Sequence, residues 1–344
     1  MPADSPTSAA RQRPNRIPLS VITGFLGSGK TTLINHLVNQ PGMQQTALII
    51  NEFGEVGLDH VLVESAFENT LLLENGCICC SIRGDLTDTV SDLFAKVQSG
   101  LLPAFTRILI ETTGLADPGP IVRTLMTEES VTGRCNLDCV VTLVDGVLGG
   151  VQLLQNEEAV KQVAQADRVL ITKGDLSSRD QRNRLRAEIT GINPALAVTE
   201  IEHGRIDPDE LFRQAAGNTA AGAASQHHDH SHDPADTAIH QHGVITTWSF
   251  VGEQAIDGER LRHWLGMLFS LRPQALLRVK GLVRVEGRDQ PLVLQAVGSL
   301  FSPPQWLDSW PQDKPETRLV FIFKGLSPEV LRNSFERHVI SSTS

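Results

Sequence analysis

The sequence predicts an α/β protein: a mainly parallel sheet with helices on both faces, followed by a smaller α+β domain. Short apolar runs at 19–23, 47–51, 70–73, 107–111, 139–145 and 168–172 carry the first part of this reading. Several lack the polar alternation of a half-exposed strand, so they fit strands buried on both faces. The stretches between them suit helices. After Lys30, for example, Leu33, Ile34, Leu37 and Val38 fall on one face at three-to-four spacing. An alternating strand–helix order of this kind places ligands at the carboxyl ends of the strands.

The second part rests on a change of composition near residue 213. Residues 214–243 are poor in large apolar side chains and hold six of the eleven histidines, which reads as a linker. All four tryptophans, Trp248, Trp264, Trp306 and Trp310, lie beyond it. Strands are expected at 244–251, 277–286, 291–300 and 318–324, with helices at 258–270 and from Pro328 to about Val339. The chain thus divides into a tail (1–16) without an apolar signal-peptide core, a first domain (17–213), the linker (214–243) and a second domain (244–344).

Composition narrows the function. Lys and Arg number 30 against 40 Asp and Glu, a formal charge of −10. That balance counts against a broad nucleic-acid grip, which needs clustered cations. No uninterrupted apolar stretch approaches the roughly 20 residues that span a bilayer, so no membrane partner is expected. Five cysteines, three of them crowded at Cys77, Cys79 and Cys80, are poor material for a disulfide framework. A cytoplasmic location is expected.

Gly24-Phe25-Leu26-Gly27-Ser28-Gly29-Lys30-Thr31-Thr32 fits G-x-x-x-x-G-K-[ST], after a strand and at the start of a helix. Glycines let the backbone curl so that its N–H groups face phosphate oxygens, and the helix N-terminus adds positive partial charge. Lys30 is expected to reach the β- and γ-phosphates, and the Thr31 hydroxyl to ligate Mg²⁺. This is a P-loop NTPase-type fold. A dinucleotide site fits worse, because the G-x-G-x-x-G order is absent.

The strand at 107–111 ends in Glu111, followed by Gly114. Beside a phosphate loop, Glu111 can hold Mg²⁺ through water or polarise the attacking water, and the Gly114 N–H can sense the γ-phosphate. Thr172-Lys173-Gly174-Asp175 closes another strand where the base belongs. Guanine offers N1–H and N2–H₂ donors that the Asp175 carboxylate can accept together, whereas adenine presents a lone pair there, so GTP is favoured over ATP. The Lys173 stem can cover the purine face. Thr172 replaces the usual Asn and lacks the two-sided amide contact.

Gly76-Cys77-Ile78-Cys79-Cys80 lies between these motifs. Closely spaced thiols suit a thiophilic ion such as Zn²⁺ or Cu⁺, and a fourth ligand is needed. Glu55 is one candidate and a linker histidine another. The alternative is a buried apolar cysteine cluster. Cys135 and Cys139, four apart, form a further pair, but Cys139 opens an apolar strand and reads as core. The run containing His227, His228, His230 and His232 suits weak metal capture.

Together these motifs resemble the CobW family of P-loop GTPases, and its YjiA-like branch most. The resemblance rests on residues 23–32, on Asn51-Glu52-Phe53-Gly54-Glu55, on 76–80, on 111–120 and on 172–175. It implies slow GTP hydrolysis, transition-metal binding at the cysteines and a role in metal delivery to a client metalloprotein. Zinc is the leading cargo, with Co²⁺, Ni²⁺ and Fe²⁺ as alternatives, and a homodimer is left open. Some relatives carry a metal-binding Glu where this chain has Ile50. The rival readings are a metal-storage or sensing protein with a structural nucleotide, a cobalt or iron insertase for cobalamin synthesis or nitrile hydratase activation, and a small-molecule kinase.

Overall fold

A computed structural model of the chain describes residues 16–51, 70–72, 78–81, 85–212, 240–242, 245–311 and 314–341. Glu55, Cys77 and the histidines at 227–232 lie outside the described residues.

The first domain holds β1 (Ile17–Gly24), β2 (Thr46–Asn51), β3 (Thr70–Leu72), β4 (Ile78–Ser81), β5 (Arg107–Thr112), β6 (Cys135–Asp145), β7 (Arg168–Thr172) and β8 (Ala197–Glu200). They form one sheet in the order β3-β4-β2-β5-β1-β6-β7-β8. Every pairing is parallel except that of β3, which runs against β4. The helices are α1 (Lys30–Val38), α2 (Leu86–Gln98), α3 (Pro118–Thr127), α4 (Glu129–Thr132), α5 (Gly149–Gln155), α6 (Glu157–Gln165), α7 (Arg179–Ile192) and α8 (Pro208–Phe212).

Both faces of this sheet are buried, which is why its strands read as unbroken apolar runs. Ile22, Leu48, Leu109 and Val141 pack with Leu33, Ile34 and Leu37 of α1 on one face. Leu19, Val21, Ala47 and Ile108 pack with Val90 of α2 and Val122 of α3 on the other. Burying each such side chain contributes about 1.5–3 kcal/mol. The strands therefore stay in register, and Gly24, Glu111, Asp145 and Thr172 emerge at one edge of the sheet.

Two features depart from the sequence reading. Ile78-Cys-Cys-Ser81 forms a strand paired with β2, a strand the apolar runs do not indicate. Strand β6 begins at Cys135, and its pairing with β1 slips between Leu19 and Ser20: Leu19 faces Leu137, while Ser20 faces Cys139. The extra residue, Asp138, accepts hydrogen bonds from Arg107 Nη1 at 3.0 Å and Ser20 Oγ at 3.4 Å. This bulge reverses the side-chain alternation. Cys135 joins the Leu19 cluster and Cys139 packs against the Ile22 cluster, so the two thiols do not meet. Burial pushes the Cys135 thiol up to about 11. Burial, then the Asp167 and Asp138 charges, push Cys139 up to about 12. Cys135 is buried and Cys139 half-buried against the core, and both thiols stay protonated at neutral pH.

The second domain holds β9 (His240–His242), β10 (Ile245–Gly252), β11 (Leu276–Val283), β12 (Leu292–Val297), β13 (Leu300–Phe301), β14 (Gln305–Trp306) and β15 (Thr317–Lys324). Their order is β13-β12-β11-β15-β10-β9, with β14 on β12, and all pairings are antiparallel. The pairing of β9 with β10 starts inside the stretch expected to be linker. Helices α9 (Gly258–Leu271) and α10 (Pro328–Phe335) cover one face. Asp257 caps α9 by accepting from Glu259 N at 2.8 Å, and Pro328 opens α10.

Alternation along β15 shows how the domains join. Leu319, Phe321 and Phe323 face the helix-covered core, with Trp248, Trp264 and Phe335. Val320 and Ile322 face the other way and share a buried cluster with Val163 of α6 and Ile189 of α7. The second sheet is thus layered between its own helices and the first domain.

Candidate nucleotide site

The loop after β1 is shaped by sterics at Gly24. Its φ is 146°, and an added Cβ would sit 2.5 Å from the Leu143 carbonyl oxygen and 2.7 Å from Ser28 Oγ. Only glycine fits there. The chain then turns through Phe25, Leu26, Gly27, Ser28 and Gly29 into α1, whose first residue, Lys30, donates from Nζ to the Gly24 carbonyl at 2.9 Å. The ammonium is therefore held over the loop. Thr31 and Thr32 are exposed in the first turn of α1. Ser28 is buried, and its hydroxyl has no hydrogen-bond partner among the described residues. An unmet buried donor in a loop of this shape suits a ligand oxygen.

Glu111 lies in β5 beside this loop, opposite Ile22 of β1 and Ile50 of β2, and is 4% exposed. Thr112 Oγ1 donates to Thr23 Oγ1 at 2.8 Å, pinning the tips of β5 and β1 together. Gly114 is packed so closely that an added Cβ would stand 2.6 Å from Leu26 Cδ2 and 2.9 Å from Leu26 Cα. The segment after β5 therefore rests directly on the phosphate loop.

At the end of β7, Thr172 Oγ1 donates to the Ser28 carbonyl at 2.8 Å and lies 3.3 Å from that of Val144. Lys173, in a left-handed conformation at φ 54°, places Nζ 2.7 Å from Asp145 Oδ2. Asp145 is 1% exposed and also accepts from Val147 N at 2.8 Å and Leu148 N at 3.0 Å. Burial opposes its charge, but the Lys173 ammonium and the two amides outweigh that and hold the carboxyl below its ordinary value. Asp175 is exposed beside them, where a base can reach it.

The proposed metal residues are only partly described. Cys79 lies on β4, 4% exposed, in the cluster of Ile22, Leu48 and Ile50. Cys80 follows on the same strand. Among the described residues no group of three or more His, Cys, Asp or Glu side chains stands ready to hold a metal. No helix among them is long and apolar enough to cross a membrane.

Residues 18–200 match the family model of the CobW/HypB/UreG nucleotide-binding domain, and residues 245–339 match the cobalamin synthesis protein CobW C-terminal domain. The chain belongs to the CobW family. It is 34% identical over 321 residues to the zinc chaperone YjiA of Escherichia coli (strain K12), covering 93% of this chain and 98% of that one. It is 29% identical to the zinc chaperone CobW of Pseudomonas aeruginosa, covering 92% and 90%. The crystal structure of Zn(II)-bound YjiA GTPase from E. coli superposes with a TM-score of 0.73 at 33% identity, covering 94% of this chain and 99% of that one.

Two parts of this CobW-family site escaped the sequence reading. Asp145 was visible only as the end of a strand, with nothing to mark its bond to Lys173. Gln162 of α6 is 1% exposed and donates from Nε2 to the carbonyls of Gly114 at 3.1 Å and Ala116 at 3.0 Å. Its partners lie 46 and 48 residues away, beyond any local pattern.

Proposed function

We propose that this protein is a GTP-hydrolysing metallochaperone that couples nucleotide binding and hydrolysis to the binding and delivery of a transition metal, zinc foremost. The reading rests on one observation: the Gly24–Thr32 loop, Glu111 with Gly114, and Thr172–Asp175 converge at the carboxyl ends of β1, β5 and β7. Its relatives named as zinc chaperones support the cargo.

In this reading the Gly24–Thr32 backbone and the Ser28 hydroxyl hold the phosphates, and Lys30 leaves the Gly24 carbonyl to bind the β- and γ-oxygens. Thr31 and Glu111 would hold Mg²⁺, which when bound neutralises charge developing on the phosphoryl group. Gly114 senses the γ-phosphate. Asp175 selects guanine, and Lys173 covers its face.

The metal would be held by Cys77, Cys79 and Cys80 with Glu55 as a fourth ligand. Sheet order supports coupling between the two sites. Cys79 pairs with Leu48 of β2, and Ile50, two residues on, pairs with Glu111. Neighbouring strands lie about 4.8 Å apart, so the cysteine strand is about 10 Å from the Glu111 strand. Linkage requires metal and GTP to change each other's affinity by the same factor.

The test is steady-state hydrolysis of GTP and ATP by the wild type and Glu111→Gln, with zinc affinity measured with and without GTP. The expected outcome is a GTP-selective activity lost in the variant and a zinc affinity that depends on nucleotide. Equal use of ATP, or a zinc affinity indifferent to GTP, would overturn the reading.

A further inference from the structure

Helix α6 touches both the nucleotide site and the second domain. Gln162, near its centre, uses one amide nitrogen to hold the Gly114–Asp117 segment through the Gly114 and Ala116 carbonyls. Because both partners are acceptors, the amide can face them only with its nitrogen. Its Oε1 is then buried without a partner among the described residues. A buried orphan acceptor is a cost that an apolar residue of similar size would avoid, which marks the side chain as more than packing. One turn further on, Gln165 Nε2 donates to Asp117 Oδ1 at 2.8 Å, and Lys161 lies 3.8 Å from Asp117 Oδ2. The same carboxylate caps α3 through Gly119 N.

The second domain grips this helix at both ends. Glu157, in its first turn, pairs with Lys324 of β15. Asp167, just past its last turn, pairs with Arg278 and Lys280 of β11. The side chains that set the segment after Glu111 therefore stand on an element positioned by the second domain.

We propose that Gln162 is a positioning residue for GTP hydrolysis, fixing Gly114 against the phosphate loop from a helix whose placement the second domain controls. The inference rests on the GTPase reading above. Gln162 touches no substrate. It acts by holding the Gly114 carbonyl, and so the residue whose N–H meets the γ-phosphate in the proposed reading.

The experiment compares kcat and KM for GTP in the wild type, Glu111→Gln, Gln162→Leu and Gln162→Met. It also compares affinities for GDP and for the non-hydrolysable β,γ-imido analogue of GTP. Loss of two buried hydrogen bonds is expected to lower kcat about ten- to a hundredfold in both Gln162 variants. Affinity for the imido analogue should fall while that for GDP stays within about twofold, since only the triphosphate meets Gly114. The methionine variant retains length and helix propensity and serves if the leucine variant does not fold. For the second domain, Lys324→Glu is expected to lower kcat about two- to fivefold, and adding Glu157→Lys to restore it.

Unchanged kcat in folded Gln162 variants, or equal loss of GDP and analogue binding, would overturn the positioning role. A Lys324→Glu enzyme with wild-type kcat would overturn the control by the second domain. A wild type that hydrolyses GTP, with Glu111→Gln inactive and Gln162→Leu fully active, sinks this inference alone. A wild type without GTP turnover sinks the GTPase reading and this inference with it.

Discussion

The Thr172 hydroxyl donates to the Ser28 carbonyl across 144 positions of sequence, joining the base loop to the phosphate loop at 2.8 Å. A Thr at this position is thus a direct tie between the loop after β7 and the loop after β1.

Thr172→Val keeps shape and volume but removes the donor, leaving the Ser28 carbonyl buried and unpaired. Such a loss costs about 1–3 kcal/mol. Affinity for GTP and GDP should fall together by about ten- to a hundredfold, because the tie lies between base and phosphates and is indifferent to the γ-phosphate. Calorimetric titration of both nucleotides checks this; a loss confined to GTP would contradict it.

Asp175→Asn tests the guanine preference. In the proposed site the exposed carboxylate would offer two acceptors to N1–H and N2–H₂, whereas an amide offers one acceptor and one donor. GTP affinity should drop about ten- to a hundredfold. Xanthosine triphosphate, whose base carries a carbonyl where guanine has its amino group, should bind the variant better than it binds the wild type. Competition between the two nucleotides reads the reversal directly.

How far the sequence was legible follows from where each feature is encoded. Gly24, Lys30, Glu111 and Thr172 end or begin apolar segments, so local chain chemistry marks them. The sheet was legible for the same reason, since strands buried on both faces carry little but apolar residues. Strand β4 was hidden because Cys79 and Cys80 look like ligands before they look like sheet residues. The slip at Asp138 was hidden because it is decided by Arg107 and Ser20 on other strands. Gln162 and Asp167 were hidden more deeply, as their partners come from segments tens of residues away and, for Asp167, from the other domain.

The burial of Cys79 sharpens the metal proposal. At 4% exposure, beside Leu48 and Ile50, its side chain also fills core space. Cys79→Ala should therefore cost about 1–3 kcal/mol of stability through the cavity left, whatever the metal does. If the thiol is also a ligand, zinc affinity of the reduced protein should fall by tenfold or more in the folded variant. Titration against a competing chelator separates the two effects. Lowered stability with unchanged zinc affinity would reduce Cys79 to packing.

Asp167 carries the electrostatics of the domain junction. Its Oδ2 accepts from Val140 N at 2.9 Å, and its Oδ1 meets Arg278 and, at 3.4 Å, Lys280. Burial opposes its charge, but the two cations and the amide outweigh this and lower its pKa. Burial also lowers that of Lys280. Among the described residues Arg278 Nε and Nη1 have no partner, so the Asp167 carboxylate answers for the charges of both Arg278 and Lys280. Asp167→Asn removes the charge but little volume and should cost about 3–5 kcal/mol at neutral pH, because two buried cations lose their counter-charge. A carboxyl with a depressed folded pKa contributes its full stability above the ordinary value of 3.8, and that contribution fades as pH falls through the folded pKa. The gap in urea-unfolding stability between wild type and variant should thus stay level from pH 7 down to about pH 5 and narrow below pH 3.8. Once pH falls below the depressed folded pKa, the wild-type carboxyl is itself neutral and the two proteins become near-isosteric. A variant as stable as the wild type at pH 7 would mean that the junction is held by Val320, Ile322 and their apolar neighbours alone.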